Sequence, residues 1–255
     1  MRVGLALAAA SAALIAILPG APACAQETTA APVPDQARID RARELSRLIS
    51  PYDVLLAANL SGWEAAIARS MALDPTAVSL EARYPGIGRA AIDAARPIAR
   101  RYCETFVNRI TDKKAEIFAQ RLTAEEIDEV LRFYRTPLGQ RAVKQLFSNF
   151  DSAQLGREIA EEKARTGTVE ITREEMKAKE LLAARRAGGS FSADDQIAML
   201  RFSQMPAARK FAAASEAAEQ EVIRMANNPD PAFMAAQTEA VTAAMVAFAT
   251  PRKRR

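Results

Sequence analysis

The chain contains no histidine. That excludes a Ser-His-Asp triad, a histidine-bound metal and a histidine general base. Cysteine is almost as scarce: only Cys24 and Cys103 occur. Once a signal segment carrying Cys24 is removed, no intrachain disulfide can form. Without a histidine partner, Cys103 reads as a small apolar core residue and not as a nucleophile. Aromatic residues make up 6% of the chain and Trp63 is the single tryptophan, best read as a core anchor. Neither GxxxxGK[ST] nor GxGxxG occurs, so no nucleotide cradle and no cofactor is expected. Runs of alternating β-branched residues, the mark of a half-buried strand, are also missing.

What is present points to helix. Apolar residues reach 49%, and much of that share is alanine, which favours helix but buries little area per residue. The expected fold class is all-α: antiparallel helix pairs in one elongated or two-lobed bundle of about nine or ten helices.

The first 25 residues read as a cleavable signal peptide. Arg2 precedes an apolar run from Val3 to Leu18, then Pro19, Gly20 and the small-residue end APACA. Ala23 and Ala25 fit an A-x-A cleavage site, leaving Gln26 as the mature terminus and placing the protein in the periplasm. The alternative is a lipoprotein anchored through Cys24, although Ala21 and Pro22 replace the leucine and small residue that a lipoprotein box usually shows. No later uninterrupted run of 18 apolar residues exists, so no transmembrane span is expected after signal removal.

The formal charge of +4 is concentrated at the ends. Setting aside Arg2 and the tail residues Arg252, Lys253, Arg254 and Arg255 leaves 30 basic against 31 acidic residues. The body is near neutral, which argues against specific nucleic-acid binding. The tail suits at most a weak, salt-sensitive contact with an anionic surface.

Five segments are expected along the chain: signal 1–25, flexible leader 26–34, a first helical unit 35–166, a second unit 167–250 and the basic tail 251–255. Asp35 should cap a first helix, and Ser50 with Pro51 a second. Ser61-Gly62-Trp63-Glu64 resembles a further capping box, so a restart or kink is expected there. Residues 75–88, with Pro75, Pro85, Gly86 and Gly88, read as turn or loop. A long helix should run from Arg89 to Gln120, kinked at Pro97, with Lys113 and Lys114 on its wet side.

The densest local pattern is LTAEEIDEVLRFYRTPLGQRAV at 122–143. Thr123 and Glu126 form a capping box, and Leu122 can staple onto Ile127. Ile127, Val130, Leu131 and Tyr134 give a helical stripe. Thr136-Pro137 ends that helix and starts the next. Gly139 weakens helix propensity, for which close approach of a neighbouring backbone would compensate. A looser copy, FSADDQIAMLRFSQMPAARKFA, follows at 191–212, offset by 69 residues. Leu131/Leu200, Arg132/Arg201, Phe133/Phe202 and Pro137/Pro206 are identical pairs, and Arg141/Lys210 keeps its charge. An internal repeat is therefore expected.

On Thr123, Glu125, Glu126, Phe133, Tyr134, Thr136, Pro137, Gly139 and Gln140, the chain resembles an exported bacterial family, domain of unknown function 2059. The likeness is strongest at 122–145 and looser across 40–150. It implies an all-helical periplasmic protein and no particular reaction. Ser203 and Ala208 depart from the pattern in the second copy.

Thr123, Glu126, Phe133 and Pro137 are assigned structural roles. Arg132, Tyr134, Gly139 and Arg201 are the candidate partner-binding residues. No catalytic, cofactor-binding or metal-ligating residue is expected. The acid pairs Glu125/Glu126, Glu174/Glu175 and Asp194/Asp195 suit helix N-termini better than acid–base work. The expected function is non-enzymatic: binding or scaffolding an unknown envelope protein or polymer. The alternative is a carboxylate-based enzyme acting on an envelope polymer. Oligomeric state is left open.

Overall fold

The computed structural model describes residues 34–250. The expected signal 1–25 with Cys24, leader residues 26–33 and the tail 251–255 lie outside the described residues. Within them the chain is all-α, with no strand. Its elements are α1 (Gln36–Ile49), α2 (Tyr52–Leu73), α3 (Pro75–Arg83), α4 (Ile87–Arg121), α5 (Ala124–Tyr134), α6 (Pro137–Asn149), α7 (Ser152–Thr166), α8 (Arg173–Gly188), α9 (Ala193–Gln204), α10 (Pro206–Asn227) and α11 (Pro231–Ala249).

The 35-residue α4 is the spine. It packs against α1, α2, α3, α10 and α11, and the hydrophobic clusters follow one another along it. Near its start, Ala91, Ala95, Ala99 and Cys103 meet Trp63 of α2 and Phe233 of α11. Trp63 is a core anchor as expected, 2% exposed, and its Nε1 donates to Gln237 Oε1 at 3.0 Å. In the middle, Phe106 and Ile110 join Leu146, Ile159, Met176 and Val222. Towards its end, Ala115, Phe118 and Ala119 meet Leu45 of α1, the α5 stripe and Phe211 of α10. α4 runs unbroken through Pro97. That residue is exposed, so the carbonyl one turn back that loses its donor faces water and not the core.

Several local expectations change. The helix beyond the nine or ten expected is α3, inside the stretch read as loop. Asp74 accepts from the amides of Thr76 and Ala77, and Pro75 takes the first helical position. α3 buries none of its residues, which is why no apolar stripe announced it. α2 neither restarts nor ends at Ser61-Gly62. Gly62 serves packing: a Cβ on Gly156 of α7 would stand 2.1 Å from the Gly62 carbonyl oxygen. Two glycines thus bring α2 and α7 together along their most extensive contact. Ser50 does not cap α2, whose N-cap is Pro51 without a side-chain bond.

The cap-and-box reading holds elsewhere. Asp35 accepts from Arg38 N, and Thr123/Glu126, Thr172/Glu175 and Ser192/Asp195 all form reciprocal boxes. The shorter aspartate makes the third box looser. Ser192 N lies 3.3 Å from Asp195 Oδ2, against 2.9 Å for Thr123 N to Glu126 Oε2.

The α2–α7 contact gives a clean pair of substitutions. Gly156→Ala must push two backbones apart and should destabilise the protein by about 3 kcal/mol. Gly188→Ala meets open space at the end of α8 and should be neutral or stabilising by about 0.5 kcal/mol. Urea titration of both variants measures this; equal midpoints would contradict the close approach.

Candidate functional site

The α5–α6 corner is built from the residues that carry the sequence pattern. Thr136 Oγ1 donates to the Phe133 carbonyl at 2.7 Å and accepts from Gly139 N at 3.0 Å, joining the end of α5 to the start of α6. Pro137 occupies the first helical position. Gln140 Nε2 donates to the Tyr134 carbonyl at 2.5 Å. A Cβ on Gly139 would stand 2.3 Å from the Phe133 carbonyl oxygen and 2.7 Å from Tyr134 Cα. The expected close approach at Gly139 is therefore present, against the last turn of α5.

The four candidate partner-binding residues fall into two groups. Tyr134 is 1% exposed, and burial pushes its hydroxyl above the ordinary tyrosine range. It packs edge-on against Phe202 and Phe211. Tyr134 and Gly139 are thus parts of the corner and not a presented surface. Arg132 and Arg201 are exposed; Arg132 has only a long contact of 3.9 Å to Glu129.

The corner meets the second-copy segment through contacts that exchange equivalent positions. Phe133 stacks on Phe202 with centroids 3.9 Å apart and planes within 6°. Arg141 pairs with Asp195 at 2.7 Å, and Lys210 pairs with Glu126. At the 69-residue offset, Arg141 corresponds to Lys210 and Glu126 to Asp195. Each pair is the other with its two partners interchanged.

A second constellation escaped the sequence reading. Lys114, expected on the wet side, is 2% exposed. It lies one turn from Ile110 and one turn from Phe118 on the inward stripe of α4. Its Nζ donates to Ser50 Oγ at 3.0 Å. Burial draws the Lys114 pKa down to about 8, with Glu180 of α8 and Glu219 of α10 pulling the other way. These two carboxyls are 3% and 4% exposed. Desolvation pushes Glu180 up to about 9, with Glu219 adding to the rise. Glu219 is raised by the same cause. Among the described residues, Glu180 Oε1, Glu219 Oε1, Ser215 Oγ and Arg173 Nε are buried without a hydrogen-bond partner. The arrangement keeps a carboxylic acid protonated at neutral pH beside a lysine. The signal that could have found it is a charge inside a buried stripe: Met176, Glu180 and Ala184, or Ser215, Glu219 and Val222/Ile223.

The third feature is a surface groove of about 750 Å³ between the start of α2, the α6–α7 junction and Arg186 of α8. Apolar Val54, Ala57 and Phe147 line it together with charged Asp53, Asp151 and Arg186. Among the described residues no group of three or more His, Cys, Asp or Glu is placed to hold a metal ion. Cys103 is fully buried and its thiol is pushed up to about 12, so it stays protonated at neutral pH.

Residues 108–165 match one family. It is described as "Uncharacterized protein conserved in bacteria (DUF2059)". The family segment spans the end of α4, the whole α5–α6 corner and nearly all of α7. It contains the pattern on which the resemblance rests, while α9 and α10 lie outside it. No curated protein and no solved structure matches the chain.

The buried acids give a pH prediction. The ordinary carboxyl value is 4.5, and Glu180 in the fold sits near 9. Its stabilising contribution is complete below 4.5 and is lost as pH rises towards 9. Lys114, depressed to about 8 from 10.5, acts with the opposite sign between those values. Thermal midpoints should therefore fall between pH 5 and pH 8.5. Glu180→Gln should flatten that fall and be more stable than wild type at pH 8.5 by about 2 kcal/mol or more. Parallel curves for the two proteins would contradict a buried, protonated Glu180.

Proposed function

We propose that this is an exported, non-enzymatic helical protein that binds or scaffolds another component of the cell envelope. The observation that carries this reading is the groove between α2 and the α6–α7 junction. Its apolar residues sit beside charges of both signs, which suits an amphipathic protein segment better than a uniformly charged polymer. The alternative, a carboxylate enzyme on an envelope polymer, would draw on Glu180 and Glu219, and both lie beneath the surface. Export rests on the 1–25 segment, with cleavage after Ala25 and lipid attachment at Cys24 as the competing fate.

A photo-crosslinking residue in place of Ala57 tests the groove, with the same residue at exposed Ala198 on α9 as control. Residues 26–255 carrying either would be incubated with envelope extract. A discrete protein adduct from position 57 alone is expected. No adduct, with a soluble glycan retained by the immobilised protein instead, would favour the enzyme reading.

We also propose that α9–α10 is a duplicate of α5–α6, the two related by a local two-fold axis. The interchanged ion pairs and the Phe133–Phe202 stack support this, because self-matching contacts are the mark of a two-fold interface. The copies have diverged in what they bury. Ile127, Leu131 and Tyr134 are buried under neighbours that include α1, whereas Gln196 and Leu200 are exposed and Ser203 is half-buried. Replacing residues 192–204 by the sequence of 123–135 should leave cooperative unfolding intact. Loss of the folded state would count against equivalence.

A further inference from the structure

Of the 12 residues of α9 only Met199 and Phe202 are buried, against α10 and the α5–α6 corner. The opposite face carries Ala193, Ile197, Leu200 and Gln204, at the three- and four-residue steps that keep side chains in one line. Ile197 and Leu200 are 47% and 40% exposed. Beside that line stand Asp194 and Arg201, about two turns apart and therefore on the same flank. Both are exposed, and among the described residues neither has an ion-pair partner. At the 69-residue offset Leu200 corresponds to Leu131, which is fully buried in a cluster with Leu45 and Ile49 of α1. Among the described residues nothing covers Leu200 as α1 covers Leu131. Nor does the α9 face fit a helix like α1. Asp128 and Arg135, which pair with Arg41 and Glu44 of α1, are replaced at this offset by uncharged Ile197 and Gln204.

This face matches itself. When two like helices lie antiparallel, the same flank of each faces the other; when they lie parallel, opposite flanks meet. Laid antiparallel, two α9 helices set Asp194 of each protomer beside Arg201 of the other, and Ile197 packs on Leu200 across the axis. A parallel pair leaves both charges unmatched. We propose that two copies of this chain associate through the open face of α9, antiparallel about a two-fold axis. The contact is one helix of about 18 Å against another, smaller than a permanent interface, so the dimer is weak and concentration-dependent. Ala198 points about 100° away from Ile197, outside the pair. The pair uses none of the groove residues and does not depend on the groove reading. Ile197, Leu200 and the two charges stand on this face whether or not α9–α10 is a duplicate.

Residues 26–255, which include every described element, would be followed by sedimentation equilibrium from about 1 to 500 μM. A monomer–dimer equilibrium with a Kd of about 10–100 μM is expected. Ile197→Ser with Leu200→Ser should raise that Kd at least about tenfold with unchanged circular dichroism. Asp194→Arg and Arg201→Asp should each raise it about tenfold alone, because each sets like charges against one another. Mixed in equal amounts, the two charge variants should pair with each other about as tightly as the wild type does. One then presents two arginines on the flank and the other two aspartates. Three results would overturn the proposal. They are monomers at every concentration, which would leave the face to a different partner, a dimer indifferent to the serine pair, and charge variants that associate no better mixed than alone.

Discussion

A helix of 35 residues, about 50 Å long, cannot be covered by one neighbour, and most of this fold follows from covering α4. Near its two ends, Ala91, Ala95 and Ala99 and then Ala115 and Ala119 let partners come close, but each contributes little apolar area. Opposite those alanines large side chains come from the partners, Trp63 from α2, Phe233 from α11, Leu45 from α1 and Phe211 from α10, while α4 adds its own Phe106, Ile110 and Phe118. Side chains from both sides of Gly167 meet in the same clusters along the spine. Where alanine would still be too large, as between α2 and α7, glycine allows the backbones to approach.

The inward stripe of α4 also explains the buried charges. Lys114 occupies a position that geometry assigns to the core, and it arrives with Ser50, Glu180 and Glu219 around it. Burying one such charge alone would be strongly unfavourable. Placing acids from α8 and α10 beside the lysine offsets part of that cost, and protonation of Glu180 offsets more. Glu180 Oε1, Glu219 Oε1, Ser215 Oγ and Arg173 Nε still lack hydrogen-bond partners among the described residues, so the network favours this arrangement of α4, α8 and α10 without being fully satisfied.

Helix ends were the most legible part of the chain, because capping is local. Asp35, Thr123, Thr172 and Ser192 announce helix starts through residues within three positions. Gly139 was legible for the same reason: its cost in helix propensity called for a neighbour, and the neighbour is the preceding turn. What sequence alone could not supply depends on distant partners. Ser61-Gly62 has the form of a cap, but its meaning is set by Gly156, and Ser50 has the form of a cap but its hydroxyl accepts from Lys114 of α4. Glu180 and Glu219 are separated in sequence and become a pair only through the packing of α8 and α10. Tyr134 looked available for function only while Phe202 and Phe211 were unplaced.

Cys103 illustrates a different kind of consequence. In residues 26–255 it is the sole thiol, fully buried on α4 and protonated far above neutral pH. Maleimides react with thiolates that they can reach. Residues 26–255 are thus a blank background for thiol chemistry, needing no cysteine removal. A single cysteine introduced on α9, along the groove or near the end of α11 would carry its fluorophore or spin label alone, and distances measured between two such labels would report on this fold without a disturbed core.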